Sequence, residues 1–342
     1  MLDEHTSDED NVLSKKPLPE EKQQEDTLRP RSFGDYIGQE DTKKNLRIFI
    51  DAAKKRGDIL EHVLLYGPPG IGKTTLATII AYELDVNIKT TCGPAIEKTG
   101  DLAAILSNLG DGDVLFIDEI HRLKPVIEEV LYSAMEDFIL DIVIGKGPSA
   151  RTMRINLPKF TLIGATTKAA MLSSPLRDRF GSVIKLDFYT TEDIEQIIKR
   201  SSRILNIKVS DGASVALAKC CRKTPRIANR LLKRARDFAS VDDREIICDE
   251  IAMITLKSLG IDNLGLDKTD RFLLKTIFEK FSGGPVGLNT LAAAIIEDEA
   301  TIEEVFEPYL IQLGFLERTP RGRKITMQGI EHIGHSSKIQ LL

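Results

Sequence analysis

Leu64-Leu65-Tyr66-Gly67-Pro68-Pro69-Gly70-Ile71-Gly72-Lys73-Thr74-Thr75 is the stretch on which the fold turns. It fits the template G-x-x-x-x-G-K-[ST], with an apolar run at 63–66 before it and a helix-like stretch at 74–83 after it, the strand-loop-helix setting in which that template cradles phosphate. Gly67, Gly70 and Gly72 let the backbone turn sharply and bring its N–H groups close to phosphate oxygens, and the helix that follows aims its positive end at them. Lys73 supplies a mobile positive charge for the outer phosphates. The Thr74 hydroxyl stands where a Mg2+ ligand is expected.

The 342-residue chain, 42% apolar and 29% charged, is long enough for two or three domains. Its formal net charge is −5, but residues 1–27 hold nine acidic residues against three lysines, so an acidic tail masks a body near neutrality. That tail is too polar to hold a fold and is expected to be disordered. Met1-Leu2-Asp3-Glu4-His5 is no secretory leader, and no window approaches the roughly 18 apolar residues needed to span a bilayer. The expectation is a cytoplasmic protein with no membrane partner. Cys92, Cys220, Cys221 and Cys248 lack metal-ligand spacing and read as reduced, mostly buried thiols.

Outward from the loop, a helix is expected at 41–53 with Leu46, Ile48 and Phe49 toward a core. The segment before it, with Leu28-Arg29-Pro30 and Tyr36-Ile37-Gly38-Gln39, either covers the base of a nucleotide or simply packs. Downstream, Val114-Leu115-Phe116-Ile117 runs into Asp118-Glu119, a strand buried on both faces whose end carries two carboxylates. Such strand ends are where ligands collect in parallel sheets. Asp118 can hold Mg2+ through water, and Glu119 can polarise an attacking water, which separates a hydrolase from a nucleotide-binding switch.

A helix at 125–138, with Val126, Val130, Leu131, Ala134 and Phe138 as its apolar stripe, leads to an inserted β-hairpin at 139–158 around Gly145-Lys146-Gly147-Pro148. That hairpin either serves a protein partner or pads the sheet edge. Another buried strand, 160–165, ends at Thr166-Thr167, where Thr167 is within reach of a γ-phosphate or its water. Ser174-Pro175 opens a short helix carrying Arg177 and Arg179, which point to different faces; one of them is suited to stabilise charge on a transferring phosphoryl group.

From 192 onward the periodicity is helical, and Thr224-Pro225-Arg226 sets a cation at a helix start, which is costly unless it faces an anion. Helices at 270–281 and 288–293 lead to a Gly/Pro-turned basic hairpin with Arg318, Arg321, Arg323 and Lys324, the pattern of a winged helix; its cations suit phosphate contacts or a solvated loop.

Taken together these motifs resemble the AAA+ ATPases, and within them the RuvB family of Holliday-junction branch-migration motors, over 28–335. The most specific pieces are Leu28-Arg29-Pro30 with Tyr36-Ile37-Gly38-Gln39, the phosphate loop, Met135-Glu136-Asp137-Phe138 through the hairpin to Ala165-Thr166-Thr167, Pro175-Leu176-Arg177-Asp178-Arg179-Phe180-Gly181, and Gly283-Gly284-Pro285-Val286-Gly287 with Thr319-Pro320-Arg321-Gly322-Arg323. The resemblance implies an α/β fold: an AAA+ parallel-sheet core at 28–189 with the hairpin inserted, a helical lid at 190–262, a winged helix at 263–337, and tails at 1–27 and 338–342.

It further implies that Leu28, Arg29 and Tyr189 line an adenine pocket, and that Gly70, Gly72, Lys73, Thr74 and Thr75 hold the phosphates and Mg2+ of ATP. Asp118 and Glu119 become the metal and water residues, Thr167 a sensor, Arg226 the lid arginine on the γ-phosphate, and Arg179 the finger given to the adjacent subunit. Glu136, Asp137 and Phe138 are implied near the nucleotide, and Arg318, Arg321 and Arg323 at the DNA backbone. The implied assembly is a hexameric ring on duplex DNA at a four-way junction, docked through the hairpin onto RuvA, with RuvC as a further partner, its lid closing on ATP to move the winged helix. A clamp-loader-like or initiator switch shares the core but leaves hairpin plus wing unexplained, and a non-catalytic DNA-binding regulator is opposed by Glu119 and Arg179. One departure stands out: Lys223 occupies a position where the family usually has Gly.

Overall fold

In a computed structural model, which describes residues 27–144 and 151–334, the phosphate-loop segment sits inside a five-stranded sheet. The described residues fall into two compact units, Arg29–Asp187 and the remainder. In the first, α1 (Glu40–Arg56), β1 (Val63–Tyr66), α2 (Lys73–Leu84), β2 (Ile88–Cys92), α3 (Thr99–Ser107), β3 (Val114–Asp118), α4 (Pro125–Glu136), β4 (Ile139–Ile144), β5 (Arg151–Asn156), β6 (Thr161–Thr166), α5 (Ser174–Asp178) and β7 (Ser182–Lys185) follow in order. The sheet runs β2-β3-β6-β1-β7 with every pairing parallel. β6 is buried along its whole length and β3 everywhere but Asp118, which is why 114–117 and the centre of β6 at 162–165 read as apolar runs.

Two helix faces differ from expectation. α1 buries Leu46, Ile50 and Ala53, steps of four and three that make one stripe, while Ile48 and Phe49 are 56% and 40% exposed because they fall beside it. α4 buries Ile127, Leu131, Ala134 and Met135 and leaves Val126 exposed. The short helix α5 is capped by Ser173, whose Oγ accepts from the Leu176 N–H at 3.4 Å, so Ser174 lies inside the helix.

The inserted hairpin is β4 with β5, antiparallel, in register from Ile139↔Asn156 to Ile144↔Arg151. Its root is not detached from the core: Leu140 and Leu157 are buried in the same cluster as Phe160 and Leu131. The turn with Gly145-Lys146-Gly147-Pro148, the acidic tail at 1–26 and the C-terminal segment from 335 lie outside the described residues.

The second unit begins with helices α6 (Thr191–Ile204), α7 (Asp211–Lys219), α8 (Pro225–Val241) and α9 (Asp249–Ser258), with a short parallel pair β8 (Lys208–Val209) and β9 (Ile246–Ile247). It continues through α10 (Lys268–Lys280), α11 (Leu288–Ile295), α12 (Glu299–Thr301), a π-helical stretch Ile302–Phe306, α13 (Glu307–Gln312), the antiparallel pair β10 (Leu316–Thr319) and β11 (Gly322–Ile325), and α14 (Met327–His332). Leu273, Leu274, Ile277, Leu291, Phe306, Leu310, Leu316 and Ile325 form one core that fixes the β10–β11 wing on its helices.

Candidate active site

The loop after β1 is held open by its glycines. Gly67 has φ 147°, and a Cβ there would lie 2.3 Å from the Leu186 carbonyl oxygen, so no side chain fits. Gly72, at φ 96°, leads into α2 with Tyr36 over it. Lys73 is buried, and its ammonium donates to the Gly67 and Pro68 carbonyls at 2.8 Å each, so its charge is aimed into the curl of the loop. The first N–H groups of α2 open onto the same place.

Across the sheet, β3 delivers Asp118 to that point. Thr74 Oγ1 lies 3.4 Å from Asp118 Oδ2, and Asp118 Oδ1 accepts the Glu119 N–H at 2.9 Å. A hydroxyl and a carboxylate suit Mg2+, which keeps waters and takes phosphate oxygens; among the described residues no group of three His, Cys, Asp or Glu side chains is placed to hold a metal. Glu119 itself adopts φ 47°, a strained left-handed conformation that turns its side chain out of the strand line. Arg122 Nη1 donates to its Oε2 at 2.9 Å.

Thr167, one residue past β6, has a buried Oγ1 without a hydrogen-bond partner among the described residues. A buried hydroxyl in that state is costly unless a ligand oxygen comes within reach. Its neighbour Thr166 is tied instead to His121 Nδ1 at 2.9 Å and accepts the Lys168 N–H at 2.9 Å, which clamps the ends of β3 and β6 together. The sequence reading passed over His121, because a lone histidine after an acid pair has no distinguishing pattern.

Arg179 is distinguished from Arg177 by its seat. Its guanidinium lies 4.5 Å from the centre of the Tyr132 ring, Nη1 donates to the Pro175 carbonyl at 2.7 Å, and Nη2 donates to Glu136 Oε2 at 3.0 Å. Tyr132 in turn is bonded to Ser173 Oγ at 2.9 Å, and Ser173 donates to the buried Glu128 at 2.6 Å. Glu128, Tyr132 and Glu136 are spaced by four along α4 and so share one face; that spacing was the signal by which Tyr132 could have been found. Asp137 is exposed, whereas Phe138 meets Phe160 edge-on with centroids 5.8 Å apart, at the hairpin root.

In the second unit, Tyr189 is buried and its N–H donates to the Lys223 carbonyl at 3.1 Å. The buried Leu28 offers its carbonyl to Arg200 Nη1 at 2.7 Å. Arg222 and Lys223 are consecutive non-glycine residues with φ 52° and 55°, which accounts for glycine being the easier residue at 223. Thr224 then stands at the N-cap position of α8 with its hydroxyl turned back to the Cys221 carbonyl at 3.2 Å, Pro225 takes the first position and Arg226 the second, half-buried.

The wing's basic residues are unequal. Arg321 is exposed at the turn. Arg318 and Arg323 lie opposite each other in the β10–β11 register and both converge on Glu307, whose side chain is 1% exposed: Arg323 Nε meets Oε1 and Arg318 Nη2 meets Oε2, each at 2.5 Å. The Arg323 side chain is only 12% exposed.

Of the cysteines, Cys220 and Cys221 are buried and Cys92 and Cys248 half-buried. Burial pushes the Cys220 thiol up to about 11 and the Cys221 thiol up to about 12. Among the described residues no helix is long and apolar enough to cross a membrane.

A parallel sheet with a glycine loop at one strand end and an Asp-Glu pair at the neighbouring end, followed by a helical segment and a winged helix, defines a nucleotide-binding P-loop ATPase of the AAA+ class. Three family models match consecutively: the Holliday junction DNA helicase RuvB P-loop domain over 28–186, the RuvB AAA lid domain over 189–262 and the RuvB C-terminal winged helix domain over 263–334. The solved Holliday junction branch migration motor RuvB of Thermotoga maritima is 51% identical over 90% of this chain and 98% of its own, with a TM-score of 0.83. A single-residue variant of that protein matches at 52% identity and a TM-score of 0.84 over the same shares. The chain belongs to the RuvB family.

Proposed function

We propose that this protein is an ATP-driven motor that migrates Holliday junctions in DNA recombination and repair, a ring of subunits moving duplex DNA. The observation that carries the reading is the convergence of Lys73, Thr74, Asp118, Glu119 and Thr167 on one strand-end site, in a chain matched by RuvB models from 28 to 334.

The domain limits are those expected from sequence: core 28–189 with the hairpin 139–158, lid 190–262, winged helix 263–337, tails outside. Gly70, Gly72, Lys73, Thr74 and Thr75 bind the phosphates, and Leu28, Arg29 and Tyr189 the adenine. Thr74 and Asp118 would hold Mg2+, which when bound would neutralise phosphate charge. Glu119 accepts the proton of the attacking water, and its hydrogen bond from Arg122 keeps the carboxylate aimed. Thr167 donates to the γ-phosphate or that water. Arg226 contacts the γ-phosphate, with the α8 start no longer opposing its charge once the anion is bound.

Arg179 acts on the neighbouring subunit's ATP, with Glu136, Asp137 and Phe138 close to the same nucleotide. The hairpin docks RuvA, RuvC joins the assembly, the ring is a hexamer, and Arg318, Arg321 and Arg323 form the DNA-facing group. The protein works in the cytoplasm.

Two variants test this reading. Glu119→Gln should retain ATP binding and lose turnover by about a hundredfold or more; near-native turnover would remove the water-activating role. Arg179→Ala subunits mixed with native ones should depress the hydrolysis of the mixture below the sum of its parts. Additive rates would show that Arg179 serves its own subunit.

A further inference from the structure

Between α7 and α8 the chain makes a turn that joins two parts of the second unit. Arg222 is 2% exposed. Its Nε donates to the Gly265 carbonyl at 3.2 Å, and its Nη2 donates to the Asp270 carboxylate and lies 3.4 Å from Asp267. Tyr309, on α13 of the wing-bearing part, lies with its ring 5.9 Å from the guanidinium and donates its hydroxyl to the Leu264 carbonyl at 2.6 Å. Asp267 and Asp270 are the N-cap and third residue of α10, each accepting the other's backbone N–H, so the guanidinium is locked into the cap of that helix.

This is a poor arrangement for stability alone. Two buried carboxylates face one buried guanidinium, and Arg222 Nη1 and Asp270 Oδ1 are buried without hydrogen-bond partners among the described residues. Burial raises the Asp270 carboxyl, against the pull of Arg222. Buried ion pairs of this kind are often matched or bettered in stability by apolar residues, and their retention points to a demand for one fixed geometry.

The other side of the same turn suggests what that geometry serves. The carbonyl of Lys223 holds the Tyr189 N–H, Thr224 stands at the start of α8, and Arg226 follows two residues later. The residues assigned above to the adenine and the γ-phosphate are therefore attached to the backbone within four positions of Arg222. We propose that Arg222 is a positioning residue that couples nucleotide binding to the winged helix, its grip on Asp267 and Asp270 turning a shift of the 222–226 turn into a shift of α10. This rests on the roles proposed for Tyr189 and Arg226.

The test uses the full-length protein with ATP, a synthetic four-way junction and RuvA. Arg222→Met with Asp270→Asn removes the ion pair while keeping an acceptor for the Asp267 N–H. The melting temperature falls, because Asp267 and the Gly265 carbonyl lose their partner, but ATP affinity and basal hydrolysis of the folded protein should stay near native while junction product per ATP hydrolysed falls by about tenfold, the scale of an ordinary coupling free energy. Unchanged product per ATP overturns the proposal, and so does a loss of product matched by an equal loss of hydrolysis. Should the double variant not fold, Arg222→Lys decides: it keeps the charge but not the fork that reaches both Gly265 and Asp270, and should give an intermediate yield, whereas a native yield overturns the proposal. If the native protein moves no junction, it is the motor reading that fails. The coupling is then read by amide exchange: a non-hydrolysable ATP analogue should slow exchange in α10 of the native chain and not of the variant, and an equal effect in both overturns it.

Discussion

The molecule carries two β-hairpins to which the proposed function assigns partners, and they are built on opposite principles. In the insertion hairpin, the cross-strand pair of Asp141 with Arg154 stands in solvent, with side chains 39% and 65% exposed. In the wing, the cross-strand arginines 318 and 323 close on a carboxylate that has almost no exposed surface. The first holds its shape through its root, where Leu140, Leu157 and Phe160 are buried, and its charges are interchangeable decoration. The second has its charges as its framework. Under the roles proposed above, a hairpin that docks a protein can leave its polar pairs loose, whereas a wing that meets phosphates needs its cations at fixed spacing.

The sharpest way to break this comparison is Glu307→Ala. It takes from the largely buried Arg323 its closer carboxylate, leaving Glu303 at 3.8 Å, and should cost about 3 kcal/mol of stability in the second unit, seen as a lower melting temperature. It should also weaken DNA binding even though it removes a negative charge; tighter binding would mean that Glu307 restrains the wing arginines without ordering them.

A smaller effect is expected at the hairpin root. His62 accepts the Leu162 N–H on Nδ1 at 2.9 Å and meets the Met135 carbonyl with Nε2 at 3.0 Å, so it must be the neutral tautomer protonated on Nε2. Burial lowers its pKa below the ordinary value of 6.5. Its contribution to stability is therefore fully present above that value and lost as pH falls from there through the lowered folded-state value. The melting temperature should drop on acidification from neutral pH, and the acid slope should flatten in His62→Gln. An identical slope would show that other groups set the acid limit.

The smallest effect belongs to Arg154→Ala. Its exposed pair with Asp141 should contribute nothing measurable to the melting temperature, and a clear drop would erase the contrast between the two hairpins.

What could be read from sequence divides along physical lines. The phosphate loop, Asp118 and Glu119, and both hairpins were legible because chemistry or periodicity allows few residue types there. The faces of α1 and α4 were misjudged by one residue, as happens when apolar residues such as Ile48 and Phe49 stand beside the buried stripe and composition cannot tell them apart. The supports were far less legible: the spacing of Glu128, Tyr132 and Glu136 marks a shared helix face but not what that face holds. Tyr132 beneath Arg179, and Glu307 beneath Arg318 and Arg323, reach their partners across gaps of 47, 11 and 16 positions, and nothing local marks a glutamate on α13 as the anchor of a wing.

Lys223 has a further consequence. A glycine at this left-handed position would relieve about 1 kcal/mol of backbone strain, yet it would also enlarge the freedom of the unfolded chain and introduce play into the joint between α7 and α8. If Arg222 couples nucleotide binding to α10 as proposed, a side chain at both 222 and 223 narrows the conformations open to the joint and so limits the motion lost within it. Lys223→Gly should therefore leave the melting temperature almost unchanged while lowering the work delivered per ATP, so that economy of motion, more than stability, is what the lysine protects.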